Sequence, residues 1–183
     1  FSLKNECQKI AEKVFSMLYR PGSVFVPGSG VFSGIRKSDK LGFVGEIVSV
    51  DVSKIKAAAA DMRGSAGGGV VLVSPIASSE EEGEQGRDEL FNVNADVSAS
   101  RLAAALGSDE LIYCTKVNGV NDSSGNLIEK IDAAHIAELI SSGVIEGGMI
   151  PKVKSALDSL KAGVGRVRIG RTLIDNGVSK LVV

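Results

Sequence analysis

The chain has 183 residues, 44% of them hydrophobic, and a formal net charge of −1. That length and apolar content suit one good core, read here as a single domain over residues 1–183. The near-neutral charge, with no basic stripe or lysine-rich tail, removes the electrostatic case for a nucleic acid or an anionic membrane as partner. No apolar run approaches the roughly 18 to 20 residues of a membrane span, and the N-terminus carries no secretory pattern. The expectation is a soluble protein with no membrane insertion.

Leu3, Cys7, Ile10, Ala11, Val14, Phe15 and Leu18 recur at helical spacing, and Pro21-Gly22 leads into a short apolar strand, Ser23 to Val26. Gly28 to Gly34 is glycine-rich. The runs Val31 to Arg36 and Gly42 to Asp51 are branched and aromatic and predict a hairpin-like excursion. Asp51 caps an alanine-rich helix reaching about Met62, and Arg63 to Gly69 carries too much glycine to pack. Val70-Val71-Leu72-Val73 reads as a fully buried parallel strand ended by Pro75. From Ser78 to Glu89 the acidic cluster Glu80-Glu81-Glu82-Gly83-Glu84 predicts a solvated surface loop, because adjacent like charges repel.

A helix from Ala95 or Asp96 to Leu106 follows, stopped by Gly107, and Leu111 to Cys114 reads as the next buried strand. Val117-Asn118-Gly119-Val120 and Ser123-Ser124-Gly125-Asn126 are turn signals. Ile131 to Ile140 predicts a helix with Asp132 as its N-cap and His135, the sole histidine, on its surface. A second helix starts near Pro151, with Val153, Ala156, Leu157 and Leu160 on one face and Gly163 as its stop, and the strand Val164 to Ile169 comes after it. Strands alternating with helices imply an α/β fold, a three-layer sandwich with a mostly parallel sheet and helices on both faces. Such sheets bind ligands beyond the C-terminal ends of their strands.

Cys7 and Cys114 have no metal-ligand spacing and are expected to be buried free thiols, so no metal site is predicted. A lone surface histidine gives a hydrolase little to work with. The glycine-rich turn Gly143-Val144-Ile145-Glu146-Gly147-Gly148 runs straight into Met149-Ile150-Pro151-Lys152-Val153-Lys154 and puts Lys152 on a first helical turn. Free backbone N–H groups and the positive end of the helix dipole gather there, which suits an anion and hence phosphoryl transfer. Asn92-Val93-Asn94-Ala95-Asp96 and Thr115-Lys116-Val117-Asn118-Gly119 also leave predicted strand ends, and the three loops together outline a nucleotide crevice. The plainer reading makes Lys152 a solvated helix residue and the Asn and Asp residues helix caps.

These segments carry a resemblance. Asn92-Val93-Asn94-Ala95-Asp96, Leu102-Ala103-Ala104-Ala105-Leu106-Gly107, Val117-Asn118-Gly119-Val120 and Gly147-Gly148-Met149-Ile150-Pro151-Lys152-Val153 stand in the order and approximate spacing of the N-acetylglutamate kinases. Leu41-Gly42-Phe43-Val44-Gly45-Glu46-Ile47 resembles that family's central hairpin, especially in cyanobacterial and plastid members, so the likeness runs from about Asn5 onward. It implies the amino acid kinase fold and transfer of phosphate from Mg-ATP (ATP and Mg2+) to the side-chain carboxylate of an acylated glutamate, for arginine synthesis. Lys152 then matches the lysine that stabilises the transferring phosphoryl group, and Asp96 the aspartate that organises the catalytic lysines. Asn92, with Asn94 beside it, matches the substrate-holding asparagine. Lys116, Val117, Asn118, Gly119, Val120 and Asn121, with Val144, Ile145 and Glu146, match the nucleotide loops.

Three departures accompany the likeness. The family's Lys-x-Gly-Gly phosphate loop, second glycine-rich loop and substrate arginine do not precede Phe1. Lys116 stands where the family usually has an aspartate, and the stretch after Arg171 is shorter than usual. The resemblance therefore implies an N-terminally truncated kinase, complete only with further N-terminal sequence or a partner chain. Its alternative is a catalytically silent structural or regulatory subunit of the same fold. It also implies N-acetylglutamate as small-molecule partner, a homo-oligomer or larger assembly, a PII-type regulator, and the cytoplasm or plastid stroma as location.

Overall fold

A computed structural model describes residues 23–62, 69–82 and 88–175, with Lys9 and Lys13 alone before them. The expected first helix lies outside the described residues except for these two, which are helical. The chain divides into two compact units, residues 1–98 and 99–183, and each is described by itself.

In the first unit β1 (Val24–Val26) pairs in parallel with β4 (Val71–Val73). A four-stranded sheet has the order β3 (Gly45–Val50), β2 (Phe32–Arg36), β5 (Ile76–Glu82), β6 (Asp88–Asn92). The β2–β5 pairing is parallel and the other two are antiparallel. Its outer strands come back together, because Val44 bridges to Asn92 and the Asn92 N–H donates to the Phe43 carbonyl at 2.8 Å. Such curvature needs small residues where the backbone approaches a neighbour. A Cβ added at Gly45 would lie 2.5 Å from the Phe91 Cβ, so glycine there makes room for the buried Phe91 ring. A bulge between Ser33 and Gly34 adds local twist. The helix α1 (Ser53–Asp61) follows, with Ile55 buried. The Asp51 carboxylate accepts from the Ser53 N–H at 2.8 Å, and that hydrogen bond holds it below the ordinary carboxylate range.

In the second unit the order is β7 (Glu110–Tyr113), β9 (Arg166–Ile169), β10 (Thr172–Asp175), β8 (Lys130–Asp132). β7 and β9 are parallel, as are β8 and β10, while β9 and β10 form a tight hairpin. Period-two alternation turns Leu111, Tyr113, Val167, Ile169 and Ile174 inward. Val153, Ala156 and Leu160 of α4 (Met149–Lys161) join that core, as does Ile136 of α3 (Ile136–Ser141). Each Val, Leu or Ile among them contributes about 1.5–3 kcal/mol by burial. The opposite side of the sheet carries charge, with Glu110 pairing to Arg168 at 2.7 Å and Arg166 at 3.2 Å. The buried Ser159 hydroxyl of α4 lies 2.7 Å from the Ser100 hydroxyl of α2 (Ala95–Leu106).

The α/β class and the parallel pairings agree with the sequence reading, and several details correct it. Val71–Val73 shares a sheet with β1 alone, not with β7 and β9, and is only half-buried, with Val70 47% exposed. Of the acidic stretch expected as a loop, residues 83–87 lie outside the described residues and the rest supplies the end of β5 and the start of β6, because backbone pairing tolerates charged side chains and the strand is anchored by the buried Ile76 and Ala77 ahead of them. Residues 131–132 extend β8, and Asp132 caps a 3-10 turn ahead of the shorter α3. The expected tail after Arg171 supplies β10. Cys114 is exposed rather than buried, since it has left the strand, and Ile112 is 54% exposed because it points away from the core; Cys7 lies outside the described residues. Among the described residues no helix is long and apolar enough to cross a membrane.

Candidate functional site

In the first unit the expected substrate segment ends β6 and opens α2. The Asn94 side-chain oxygen accepts from the N–H groups of Asp96 at 3.0 Å and Val97 at 3.1 Å, so Asn94 is the N-cap. Its carbonyl receives the Ser98 N–H at 2.9 Å. Asp96 sits half-buried in the first turn, where the positive end of the helix favours a carboxylate. Asn92, an exposed residue, is held through its backbone against Phe43. Arg36 pins that neighbouring stretch. Its guanidinium lies 5.3 Å from the Phe43 ring centre and 5.7 Å from that of Phe91, pairs with Glu89, and donates to the Gly42 carbonyl at 3.0 Å.

In the second unit Gly147, at φ 53°, turns the chain into α4, and the Ile145 N–H donates to the Leu139 carbonyl at 2.9 Å. Ile145 is buried, Val144 half-buried and Glu146 exposed. Lys152 occupies the first turn of α4, as its sequence position predicts, with its ammonium 5.8 Å from the Tyr113 ring centre. A cation at a helix N-terminus opposes the dipole by about 0.3–1 kcal/mol. The ring face returns about 0.5–1 kcal/mol at exposed sites and more where water is excluded. The two effects are comparable, so the aromatic contact can hold the lysine where the helix alone would not. Because Tyr113 is the last residue of β7, the ammonium lies at the C-terminal end of that strand.

The loop leaving the same strand is fixed by its backbone. The Tyr113 carbonyl receives the Gly170 N–H at 2.9 Å, and the Asn118 carbonyl receives the Arg171 N–H at 2.7 Å. The Val120 N–H donates to the buried Thr172 hydroxyl at 2.8 Å. Gly119 has φ 154°, and a Cβ there would fall 2.4 Å from that hydroxyl oxygen, so only glycine fits. Lys116, Val117, Asn118 and Asn121 remain exposed, while Gly119 and Val120 are buried. Beyond the loop the Asp122 carboxylate accepts the Asn126 N–H at 2.8 Å and the Ser124 N–H at 2.9 Å. These bonds, the Asn126 one above all, hold it below the ordinary carboxylate range.

Within the second unit, then, Lys152 and the Lys116–Asn121 loop share one strand end. Asn92, Asn94 and Asp96 cluster within the first. Sequence reasoning missed Tyr113, Thr172 and Arg36. An aromatic residue closing a strand just ahead of a turn is a signal that could have marked Tyr113, whereas the partners of Thr172 and Arg36 are remote in sequence. A cleft of about 360 Å³ lined by Lys130, Asp132, His135, Glu138 and Ser142, among others, holds none of the expected site residues. Among the described residues no group of three or more His, Cys, Asp or Glu side chains is arranged to hold a metal ion. A fixed cation beside a glycine-bearing loop can neutralise and orient a phosphorylated ligand without any proton transfer.

Residues 3–171 match the amino acid kinase family. An acetylglutamate kinase from Polaromonas naphthalenivorans is 40% identical over 133 residues, covering 73% of this chain and 40% of that enzyme. The chain thus spans less than half of that relative. Among solved structures, smu.665 from Streptococcus mutans superposes with a TM-score of 0.75 at 28% identity, over 95% of this chain and 70% of that one. A carbamate kinase from Giardia lamblia bound to AMP-PNP superposes with a TM-score of 0.58 at 17% identity, over 90% and 65% respectively, which is a likeness of fold.

Proposed function

This chain belongs to the amino acid kinase family, and from that premise we propose that it forms part of a kinase transferring the terminal phosphoryl group of Mg-ATP to the side-chain carboxylate of N-acetylglutamate. The observation that carries the reading is Lys152, set on the first turn of α4 and held against Tyr113 at the end of β7. In the reaction a carboxylate oxygen attacks the terminal phosphorus, the bond to the bridging oxygen breaks, ADP leaves and an acyl phosphate forms. The acceptor is already ionised at neutral pH, so no base is needed, which fits a site without histidine. Lys152 neutralises charge on the moving phosphoryl group, Asp96 orients the cationic groups, and Asn92 holds the acylated amino acid. The Lys116–Asn121 loop and Val144–Glu146 flank the nucleotide. Mg2+ would ride chiefly on the phosphates, as it commonly does.

Similarity to acetylglutamate kinases supports this substrate. Self-association and a PII-type regulator rest on the sequence resemblance alone. One observation favours a silent subunit instead: Lys116, exposed on the nucleotide loop, reverses the charge that the resemblance leads one to expect there. A coupled ADP-release assay on the protein tests the choice. Turnover that depends on N-acetylglutamate is the expected result, and no turnover with any acyl amino acid would favour the silent subunit.

A further inference from the structure

We propose that Thr172 is a positioning residue for nucleotide binding, its hydroxyl holding the Lys116–Asn121 loop in the shape that receives ATP. The inference rests on the reading of that loop as a nucleotide loop, while its geometry stands without it. The loop leaves β7 and is met along its length by the turn between β9 and β10. In chain order, the Tyr113 carbonyl receives the Gly170 N–H at 2.9 Å, the Asn118 carbonyl receives the Arg171 N–H at 2.7 Å, and the Thr172 hydroxyl receives the Val120 N–H at 2.8 Å. Glycines let these segments close on each other. A Cβ at Gly170 would lie 2.5 Å from the Asn118 carbonyl oxygen, and one at Gly119 would lie 2.4 Å from the Thr172 hydroxyl oxygen. The first and second hydrogen bonds join backbone to backbone, whereas the last uses a side chain, so at Thr172 the residue type decides whether the loop is held.

Core packing does not ask for that hydroxyl. Thr172 is fully buried, and valine would fill its place with the same branched shape. With valine, however, the N–H of the buried Val120 would lose its acceptor, and an unsatisfied buried donor is costly enough to drive the loop toward water. Downstream the chain is tied again, because the Val120 carbonyl accepts the Ile128 N–H at 2.8 Å. Release is therefore confined to the stretch that carries the exposed Lys116, Val117 and Asn118. A loop in place for only part of the time lowers apparent affinity by that fraction and leaves the chemical step as it was. The loss then belongs in KM for ATP, not in kcat and not in KM for N-acetylglutamate.

Hydrogen exchange reads the hold, and steady-state kinetics read its use. The exchange rate of the Val120 amide, taken relative to the amides of α4, should rise about tenfold in Thr172→Val and stay at the wild-type value in Thr172→Ser. Thr172→Val should raise KM for ATP about tenfold with kcat and KM for N-acetylglutamate changed less than about twofold, and Thr172→Ser should restore it. Gly119→Ala, which disturbs the same contact from the loop side, should give the same kinetic pattern, and it carries both readings if Thr172→Val does not fold. Unchanged exchange of the Val120 amide overturns the hold. Faster exchange with KM for ATP unaltered, or with losses spread equally over kcat and both KM values, overturns the positioning role. A wild type that neither binds nor turns over Mg-ATP overturns the nucleotide-loop reading and the positioning role together. A wild type that binds Mg-ATP without turnover fails the kinase reading alone, and the dissociation constant for Mg-ATP then decides the positioning role in place of KM.

Discussion

Asn94 and Lys152 each stand at the start of a helix, and their side chains are held in opposite ways. Asn94 turns back onto its own helix and satisfies two N–H groups within three residues. Lys152 is met from a strand, by a ring 39 positions away in the chain (152 − 113). The first arrangement is local, serves the fold, and leaves the Asn94 amide nitrogen for a ligand. The second offsets an unfavourable position of charge and has no evident use for the helix itself. A residue that its own turn requires says little about function, whereas one held against local preference by a distant partner points to a task.

The largest effect tests the second arrangement. On the proposed kinase reading, Lys152→Met should reduce kcat by about 2–4 kcal/mol of transition-state stabilisation, with far less change in substrate binding, as steady-state kinetics will show. Equal losses in binding and turnover would make Lys152 a mere docking charge. Next, Thr172→Val should cost about 1–3 kcal/mol in urea unfolding, because the buried Val120 N–H loses its acceptor while the side-chain volume is kept. Asn94→Ala should cost about 1 kcal/mol as a lost cap, and Asn94→Asp should be nearly neutral. A marked rise in KM for N-acetylglutamate in the Asp variant would show that the same amide also binds substrate.

The smallest effect concerns Asp122. Its folded pKa lies below the ordinary value of 3.8, so its stabilising hydrogen bonds act fully above that value and are lost as pH falls through the folded pKa. The stability difference between wild type and Asp122→Ala should therefore be present near neutral pH and shrink on acidification below about pH 4. A difference that grows as pH falls would reverse the assignment.

What could be read from the sequence follows the same division between local and distant. The helix at Met149–Lys161 was legible because Pro151, the apolar spacing of Val153, Ala156 and Leu160, and Gly163 all act within a few residues. The cap at Asn94 was legible for the same reason. The short strand ending at Asn92 was legible, but β5 was hidden by its charge, since neighbours on the sheet, not side-chain polarity, make it a strand. β10 was missed because Thr172–Asp175 gains its pairing from β9 on one side and β8 on the other. For the candidate site, motif likeness singled out Lys152 and the Lys116–Asn121 loop, which stand at one end of β7. It gave no hint of Tyr113, Thr172 or Arg36, whose partners lie in other parts of the chain.

The measurement that bears most directly on the central claim is capture of the product. Acyl phosphates react with hydroxylamine to give hydroxamates, so the full-length protein incubated with Mg-ATP, N-acetylglutamate and hydroxylamine should yield the N-acetylglutamate hydroxamate together with ADP, and Lys152→Met should yield almost none. ADP without hydroxamate, or equal hydroxamate from wild type and Lys152→Met, would contradict the account.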